Sequence, residues 1–159
     1  MPIFFFDTSA LYYRYDTHSH SRRVRRIVSD TRYDCYIADV SIVEIASSFG
    51  KQCRERGWGT KKFDQMDRRF FDDMAVRRLN ICPITKGLML RARHLIRFAG
   101  VEKKRSIKTN DALIACCSLD LALEKKQRVN FYTCDKTLYS VLKDIDAFRK
   151  GLDLRLINT

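Results

Sequence analysis

Four acidic residues lie where an apolar strand or a loop is followed by a helical pattern. They are Asp7, Glu44, Asp111 and Asp135. The apolar runs before Asp7 and Asp135 are typical of buried parallel strands, and ligand sites in open α/β sheets lie beyond the carboxyl ends of such strands. We therefore expect Asp7 and Asp135 to converge in the folded protein.

Converging carboxylates predict a metal site. Two carboxylates about 4 Å apart repel by roughly 4 kcal/mol at an effective dielectric constant near 20, so three or four of them need a cation. Oxygen ligands select a hard ion such as Mg²⁺, which usually takes one or two carboxylates and keeps several waters. Such an ion activates water for attack on a phosphodiester, a reaction that needs no histidine base.

Each acid also has a structural explanation, and the sequence leaves these alternatives open. Ser41 and Glu44 have the spacing of a capping box, in which the two side chains satisfy backbone donors of the helix. Asp111 and Asp135 are candidates for helix caps or for first-turn acids that complement the helix dipole. Asp7 is harder to explain in this way, because a carboxylate directly after three phenylalanines is unfavourably buried unless it has a partner.

Further aspartates fall in predicted loops or on polar helix faces. Aspartate side chains are mostly exposed in folded proteins unless they are paired, so we expect these to face solvent. They are Asp16, Asp30, Asp34, Asp39, Asp64, Asp67, Asp72 and Asp73.

The balance of charge indicates a polyanionic partner. The chain has 31 Lys and Arg against 19 Asp and Glu, a net charge of +12, and a pI near 9.7. A single basic cluster is often only a solvated helix face. Together with a carboxylate site, however, the bases favour nucleic acid over a membrane, because no long amphipathic segment pairs them with a clean apolar face. The densest cluster is Arg22, Arg23, Arg25 and Arg26.

The sequence favours a cytoplasmic protein with no membrane partner. No apolar stretch is long enough to span a bilayer, and Asp7 interrupts the early apolar run that a signal peptide would need. Zinc is disfavoured, because the chain has no C-x-x-C and because His18, His20 and His94 are not at zinc-ligand spacing from a cysteine pair. Thiols inside the cell stay reduced, so we interpret four cysteines as small buried hydrophobic residues: Cys35, Cys82, Cys116 and Cys117.

The length of 159 residues predicts a single domain over residues 1–159. Apolar runs alternate with helical patterns, which predicts a three-layer α/β/α fold on a central parallel sheet. The segment 57–78 is rich in aromatic and basic residues and matches no motif. An amphipathic helix over this sheet is its favoured interpretation, and contact with substrate or with a partner is the alternative. The predicted strands are 3–6, 35–38, 81–84, 129–133 and 154–157, and the predicted helices are 8–15, one around 24–28, 41–56, 63–74, 88–100, 111–125 and 138–145.

In their order and spacing, the stretches around the four acids resemble the motifs of PIN-domain nucleases, particularly the VapC-like toxins of toxin-antitoxin pairs. The similarity extends over residues 3–138. As a set the motifs are specific, whereas any one alone is weak. They are Asp7-Thr8-Ser9-Ala10-Leu11, Ser41-Ile42-Val43-Glu44, Asn110-Asp111-Ala112-Leu113-Ile114-Ala115 and Thr133-Cys134-Asp135.

This resemblance implies a PIN-like fold with a parallel sheet of about five strands, and an endoribonuclease that depends on Mg²⁺ or Mn²⁺. It also implies a homodimer and a cognate antitoxin protein that blocks the site. Ser9 and Thr133 are implied as supporting polar residues. The implied metal ligands, direct or through water, are Asp7, Glu44, Asp111 and Asp135.

At position 134 the chain departs from this family. Many relatives carry Asn where this chain has Cys134, a weaker hydrogen-bonding group, so the local hydrogen bonds are expected to differ. Two other classes of protein stay open. The presence of all four acids argues against a PIN-like module that has lost catalysis and only binds RNA or protein. A receiver-like domain opens with paired acids, whereas Asp7 is followed by Thr8 and Ser9.

Overall fold

A computed structural model describes residues 1–16 and 21–157 of the chain. Five parallel strands form its central sheet, as the sequence predicts, in the spatial order 3-2-1-4-5. In chain order, the strands are β1 (Ile3–Phe6), β2 (Asp34–Ala38), β3 (Asn80–Cys82), β4 (Val129–Thr133) and β5 (Leu152–Leu156).

Helices connect the strands. A 3₁₀ turn, Tyr12–Arg14, follows the first helix, and a π-helical turn, Phe98–Glu102, follows the fifth. The helices are α1 (Thr8–Leu11), α2 (Ser21–Ser29), α3 (Val40–Glu55), α4 (Thr60–Ala75), α5 (Lys86–Arg97), α6 (Thr109–Lys125), α7 (Lys136–Lys143) and α8 (Asp146–Gly151).

Side chains of β1 alternate between the two faces of the sheet, because successive residues of a strand point in opposite directions. Phe4 and Phe6 pack with helices α1 to α4, and Ile3 and Phe5 pack with helices α5 to α8. Strand β1 is therefore buried on both faces, which explains its continuous apolar sequence. The layers confirm the predicted α/β/α fold.

The strand order reverses at the centre of the sheet. From β1 the chain adds β2 and β3 on one side, and it then returns to add β4 and β5 on the other. Phe6 pairs with Tyr132, so β1 and β4 end side by side. The backbone N–H of Asp7 donates to the carbonyl of Tyr132 at 2.9 Å and extends this pairing by one bond. Ligand sites of doubly wound sheets lie at such a switch point.

Several element boundaries differ from the sequence-based prediction. Helix α8 was not predicted, because Phe148 is its one buried side chain and leaves no periodic apolar pattern. Gly100 does not end the fifth helix, since the π-helical turn runs through it. Strand β5 begins at Leu152, two residues early. The predicted break at 18–21 falls mostly outside the described residues, and Ser21 begins α2.

Two aspartates that we expected to face solvent, Asp16 and Asp73, are buried, so that prediction was wrong for them. The carboxylate of Asp73 accepts from the guanidinium of Arg14 at 2.9 Å and from the hydroxyl of Tyr15 at 2.9 Å. Asp16 lies 3.4 Å from the guanidinium of Arg56. Pairing with arginine makes burial of a carboxylate tolerable, and the partners are too distant in sequence to be inferred from it.

Helix α4 packs over the sheet with Met66 and Phe70 fully buried, which confirms the amphipathic interpretation of the segment 57–78. Among the helices of residues 1–16 and 21–157, none is long and apolar enough to cross a membrane.

Candidate active site

Asp7 is the most buried of the four candidate acids, with 2% of its surface exposed. Its Oδ2 accepts hydrogen bonds from the hydroxyls of Ser9 at 2.6 Å and of Thr133 at 2.7 Å. Burial raises the pKa of Asp7, the two hydroxyls lower it, and the charge of Glu44 raises it again. The carboxylate is thus held in one orientation at a site where its negative charge is poorly solvated.

Glu44 lies in the second turn of α3 and is held from two sides. Its Oε2 accepts from the hydroxyl of Thr8 at 2.7 Å, and its Oε1 accepts from the side-chain amide of Asn110 at 2.8 Å. The capping-box alternative is wrong, because α3 begins at Val40 and Ser41 is therefore inside the helix. Glu44 instead joins the first turns of α1 and α6, through Thr8 and Asn110.

Asp111 lies in the first turn of α6 and is buried. Its pKa is raised to about 7, first by burial and then by the charges of Asp7, Asp135 and Glu44, while Lys108 lowers it. The cap position of α6 is Lys108, so Asp111 is a first-turn acid and not the cap. The charges of the other three acids all act on Asp111 in the same direction and disfavour its ionisation.

Asp135 has a structural role that the sequence left open. It is the N-cap of α7, where its Oδ1 accepts from the backbone N–H of Leu138 at 2.9 Å. Its own backbone N–H donates to the hydroxyl of Thr133 at 3.0 Å. Asp135 therefore caps a helix and also adds charge beside Asp111.

Three of the acids, Asp7, Glu44 and Asp111, line one pocket of about 470 Å³, and Asp135 is outside its lining. We name this the acid pocket. Sequence analysis missed Lys108, which also lines it. The available signal was its spacing of three residues from Asp111 at a helix start, because residues three apart lie on the same face. The remaining lining residues are Thr8, Ser9, Val40, Val43, Ser47, Ser48 and Asn110.

The acid pocket suits a hard divalent cation in chemistry, although no three His, Cys, Asp or Glu side chains of residues 1–16 and 21–157 already form a ligand group. Glu44 is engaged through both oxygens, and Asp135 is turned to its helix. Asp7 and Asp111 remain as two buried oxygen donors, and the charge of Asp7 raises the pKa of Asp111. One or two carboxylates with waters is the usual set for Mg²⁺.

The four arginines of the basic cluster on α2 do not all line the same pocket. Arg22, Arg23 and Arg26 line a separate pocket of about 860 Å³, which shares no lining residue with the acid pocket. The guanidinium of Arg23 lies 5.3 Å from the ring centre of Tyr132. Arg25 lies outside this pocket and donates to the hydroxyl of Ser21.

All six cysteines are free thiols. Cys35, Cys116 and Cys117 are buried as expected, whereas Cys82 is only partly buried because it ends the edge strand β3. His18 and His20, which entered the argument against zinc, lie outside the described residues.

Residues 4–143 match the family model of the PIN domain, and the chain belongs to this family. The receiver-like alternative is therefore wrong. None of the curated proteins compared with the chain matches it in sequence.

Solved structures with the same fold include proteins of toxin-antitoxin pairs. VapBC2 from Rickettsia felis, bound to a DNA fragment from the VapBC2 promoter, has a TM-score of 0.61 and 18% identity. The match covers 98% of this chain and 99% of that chain. FitAB bound to an IR36 DNA fragment has a TM-score of 0.63 and 16% identity, with 96% and 94% covered. VapC20 from Mycobacterium tuberculosis, a sarcin-ricin loop cleaving toxin, has a TM-score of 0.54 and 14% identity, with 87% and 93% covered. At these identities the matches show the shared fold.

Proposed function

We propose that the protein is a Mg²⁺- or Mn²⁺-dependent endoribonuclease and the toxin of a toxin-antitoxin pair. The convergence of Asp7, Glu44 and Asp111 in one pocket carries this proposal. PIN domains are generally nucleases, and a structural neighbour is a toxin that cleaves the sarcin-ricin loop. The net charge of +12 suits an RNA substrate.

Asp7 and Asp111 are the residues that would hold the metal directly, with Glu44 and Asp135 acting through water. A bound divalent ion supplies an activated water for attack on the phosphodiester and stabilises charge on the leaving oxygen. The chain's own residues supply orientation. Ser9 and Thr133 hold the carboxylate of Asp7.

A second set of contacts positions the other side of the pocket. Thr8 and Asn110 hold the carboxylate of Glu44 from opposite elements, so it cannot swing away from Asp7. Lys108 places a positive charge in the same pocket. In the proposed reaction the ammonium of Lys108 binds a phosphate oxygen of the RNA, because a hydrogen bond between two charged groups is stronger than one between neutral groups.

The proposal includes a cytoplasmic homodimer and a cognate antitoxin protein. Support for the antitoxin comes from the structural neighbours, which include VapBC2, FitAB and a toxin-antitoxin complex from Klebsiella pneumoniae. An antitoxin that covers the acid pocket would keep RNA away from the acids.

Cleavage of a panel of single-stranded and structured RNAs tests the proposal. We expect cleavage that EDTA abolishes and that Mg²⁺ or Mn²⁺ restores. Asp7→Asn and Asp111→Asn should each abolish it, because an amide has the shape of the acid but no charge for the metal. Asp64→Asn, on the exposed face of α4, is the matched control and should cut normally.

Undiminished cleavage in EDTA, with contaminating ribonuclease excluded, would contradict the metal-dependent enzyme. RNA binding without cleavage in any divalent ion would favour the catalytically inactive PIN-like module. Thermal unfolding of each variant separates a lost ligand from a lost fold.

A further inference from the structure

A second pocket adjoins the acid pocket. It has a volume of about 420 Å³, and Ser9 and Ser48 line both pockets. The hydroxyl of Ser9 donates to Asp7 and accepts from the backbone N–H of Cys134 at 3.0 Å, so this one side chain stands between the acids and the second pocket. We call the second pocket the side groove. The rest of its lining is Tyr12, Tyr13, Asp16, Lys51, Gln52, Arg56 and Cys134.

Two cationic side chains, Lys51 and Arg56, line the side groove, and they differ in how firmly they are held. Lys51 has 63% of its side chain exposed and lies 3.8 Å from Glu55. An exposed pair of this kind contributes little to stability, so the ammonium can exchange its carboxylate for another anion at small cost. Arg56 is fixed more firmly, because its guanidinium contacts Asp16 and lies 4.7 Å from the ring centre of Trp58.

The groove also presents an aromatic ring. Tyr13 is partly exposed, and its ring packs edge to face on Tyr12 with the ring centres 6.0 Å apart. The 3₁₀ turn Tyr12–Arg14 holds this ring on the side of Ser9 and Cys134. Base stacking on an aromatic side chain beside a cation that contacts phosphate is the usual mode of single-strand binding.

We propose that the side groove binds the nucleotides of single-stranded RNA next to the scissile phosphate, with Tyr13 stacking on a base and Lys51 contacting a phosphate. This inference rests on the proposed function, because the acid pocket must be the place of cleavage. Ser9 and Ser48 line both pockets, so an RNA strand that leaves the acid pocket past them enters the side groove directly. An RNA too short to leave the acid pocket gains nothing from it.

The test compares cleavage of a long and a short single-stranded RNA with the same scissile bond, the long one extended on each side in turn. In the wild type, extension on one side should raise kcat/KM. Tyr13→Ala should lower the ratio of long to short kcat/KM by about tenfold through the loss of one stacked base. Tyr13→Phe, which keeps the ring, should hold the ratio within about threefold of the wild type.

Lys51→Gln provides a second variant at an exposed position that leaves the core intact. It should lower the same ratio, and the log-log salt slope of long-RNA binding should shrink by about 0.7, the value for one neutralised phosphate. Lys125→Gln is the matched control, because Lys125 also pairs with a glutamate and lies at the far end of α6.

The outcomes separate this inference from the proposed function. If the wild type cuts neither RNA with any divalent ion, the proposed function fails. If it cuts both and Tyr13→Ala and Lys51→Gln leave the ratio unchanged, the side-groove inference alone is overturned. An equal loss on long and short RNA in both variants would also overturn it, because that pattern indicates structural damage.

Discussion

The hydroxyl of Thr133 donates a hydrogen bond to Oδ2 of Asp7 at 2.7 Å, although the two residues are 126 positions apart in the sequence. The same hydroxyl accepts from the backbone N–H of Asp135 at 3.0 Å. The parallel pairing of β1 with β4 makes this possible, because Phe6 lies opposite Tyr132. Thr133 therefore links the first and fourth acids of the proposed site.

Thr133→Val should weaken the site without unfolding it. Valine has nearly the same shape, but it removes the donor that orients Asp7. Loss of a group that orients a metal ligand typically costs about 10- to 100-fold in metal affinity or activity. Thr133→Ser keeps the hydroxyl and should stay near wild type. Mg²⁺ titrations of RNA cleavage measure this, and equal activity of the valine and serine variants would contradict it.

The metal-free protein should lose stability as the pH rises from about 4 to about 7. Asp111 has its folded pKa raised from 3.8 to about 7, so in this window the folded state retains a proton that the unfolded state has lost. The free energy of unfolding then falls with pH by up to about 1.4 kcal/mol per unit. Burial raises the pKa of Asp7 too, which adds to the effect.

Asp111→Asn should flatten this dependence and stabilise the metal-free protein near pH 7, because it removes one repelling charge. Saturating Mg²⁺ should flatten it in the wild type as well. Urea unfolding in EDTA at several pH values, with and without added Mg²⁺, checks both statements. A slope that is identical in wild type and Asp111→Asn would show that Asp111 ionises normally.

Lys108→Gln should strengthen the binding of Mg²⁺ and weaken the binding of RNA. Lys108 lines the acid pocket and lowers the pKa of Asp111, so its ammonium competes electrostatically with a bound cation. Without it, Mg²⁺ should bind more tightly, as calorimetry would detect, while KM for RNA should rise. Lys125→Gln should change neither. Tighter Mg²⁺ binding with an unchanged KM would mean that Lys108 only balances the acids.

Cys134 can be exchanged for asparagine but not for a bulky residue. Its thiol donates to the carbonyl of Ser9 at 3.5 Å, and an asparagine amide can replace that donor. Cys134→Asn should therefore keep RNA cleavage within a few-fold of wild type. Cys134→Trp should abolish it by displacing Ser9 and Asp135. Full activity of the tryptophan variant would weaken the assignment of Asp135 to the site.

The basic pocket on α2 can be tested with an internal control. Replacing Arg22, Arg23 and Arg26 together by glutamine should reduce the log-log salt slope of RNA binding by about 0.7 for each phosphate that is no longer neutralised. Arg25→Gln should have little effect, since Arg25 lies outside that pocket. An unchanged slope in the triple variant would place the RNA path elsewhere, with the side groove as the alternative.

The sequence by itself determined the fold class, and it indicated the four acids that we propose for the site. Strands β1 and β4 were predicted at their observed bounds, because strands buried on both faces must be apolar throughout. The position of Asp7 directly after β1 already required a partner for its charge. Alternation of strands and helices then predicted a parallel sheet, in which the carboxyl ends of the strands lie at one edge. The pairing of β1 with β4 within that sheet was decided by the tertiary structure.

The tertiary structure alone decided which partners each charge has. The bonds of Glu44 to Thr8 and Asn110, and the burial of Asp73 against Arg14, join segments far apart in the chain. Nothing in the sequence indicated that the side groove adjoins the acid pocket. Hydrophobic periodicity records which face of an element is buried, whereas hydrogen bonds and ion pairs depend on three-dimensional distances that folding alone sets.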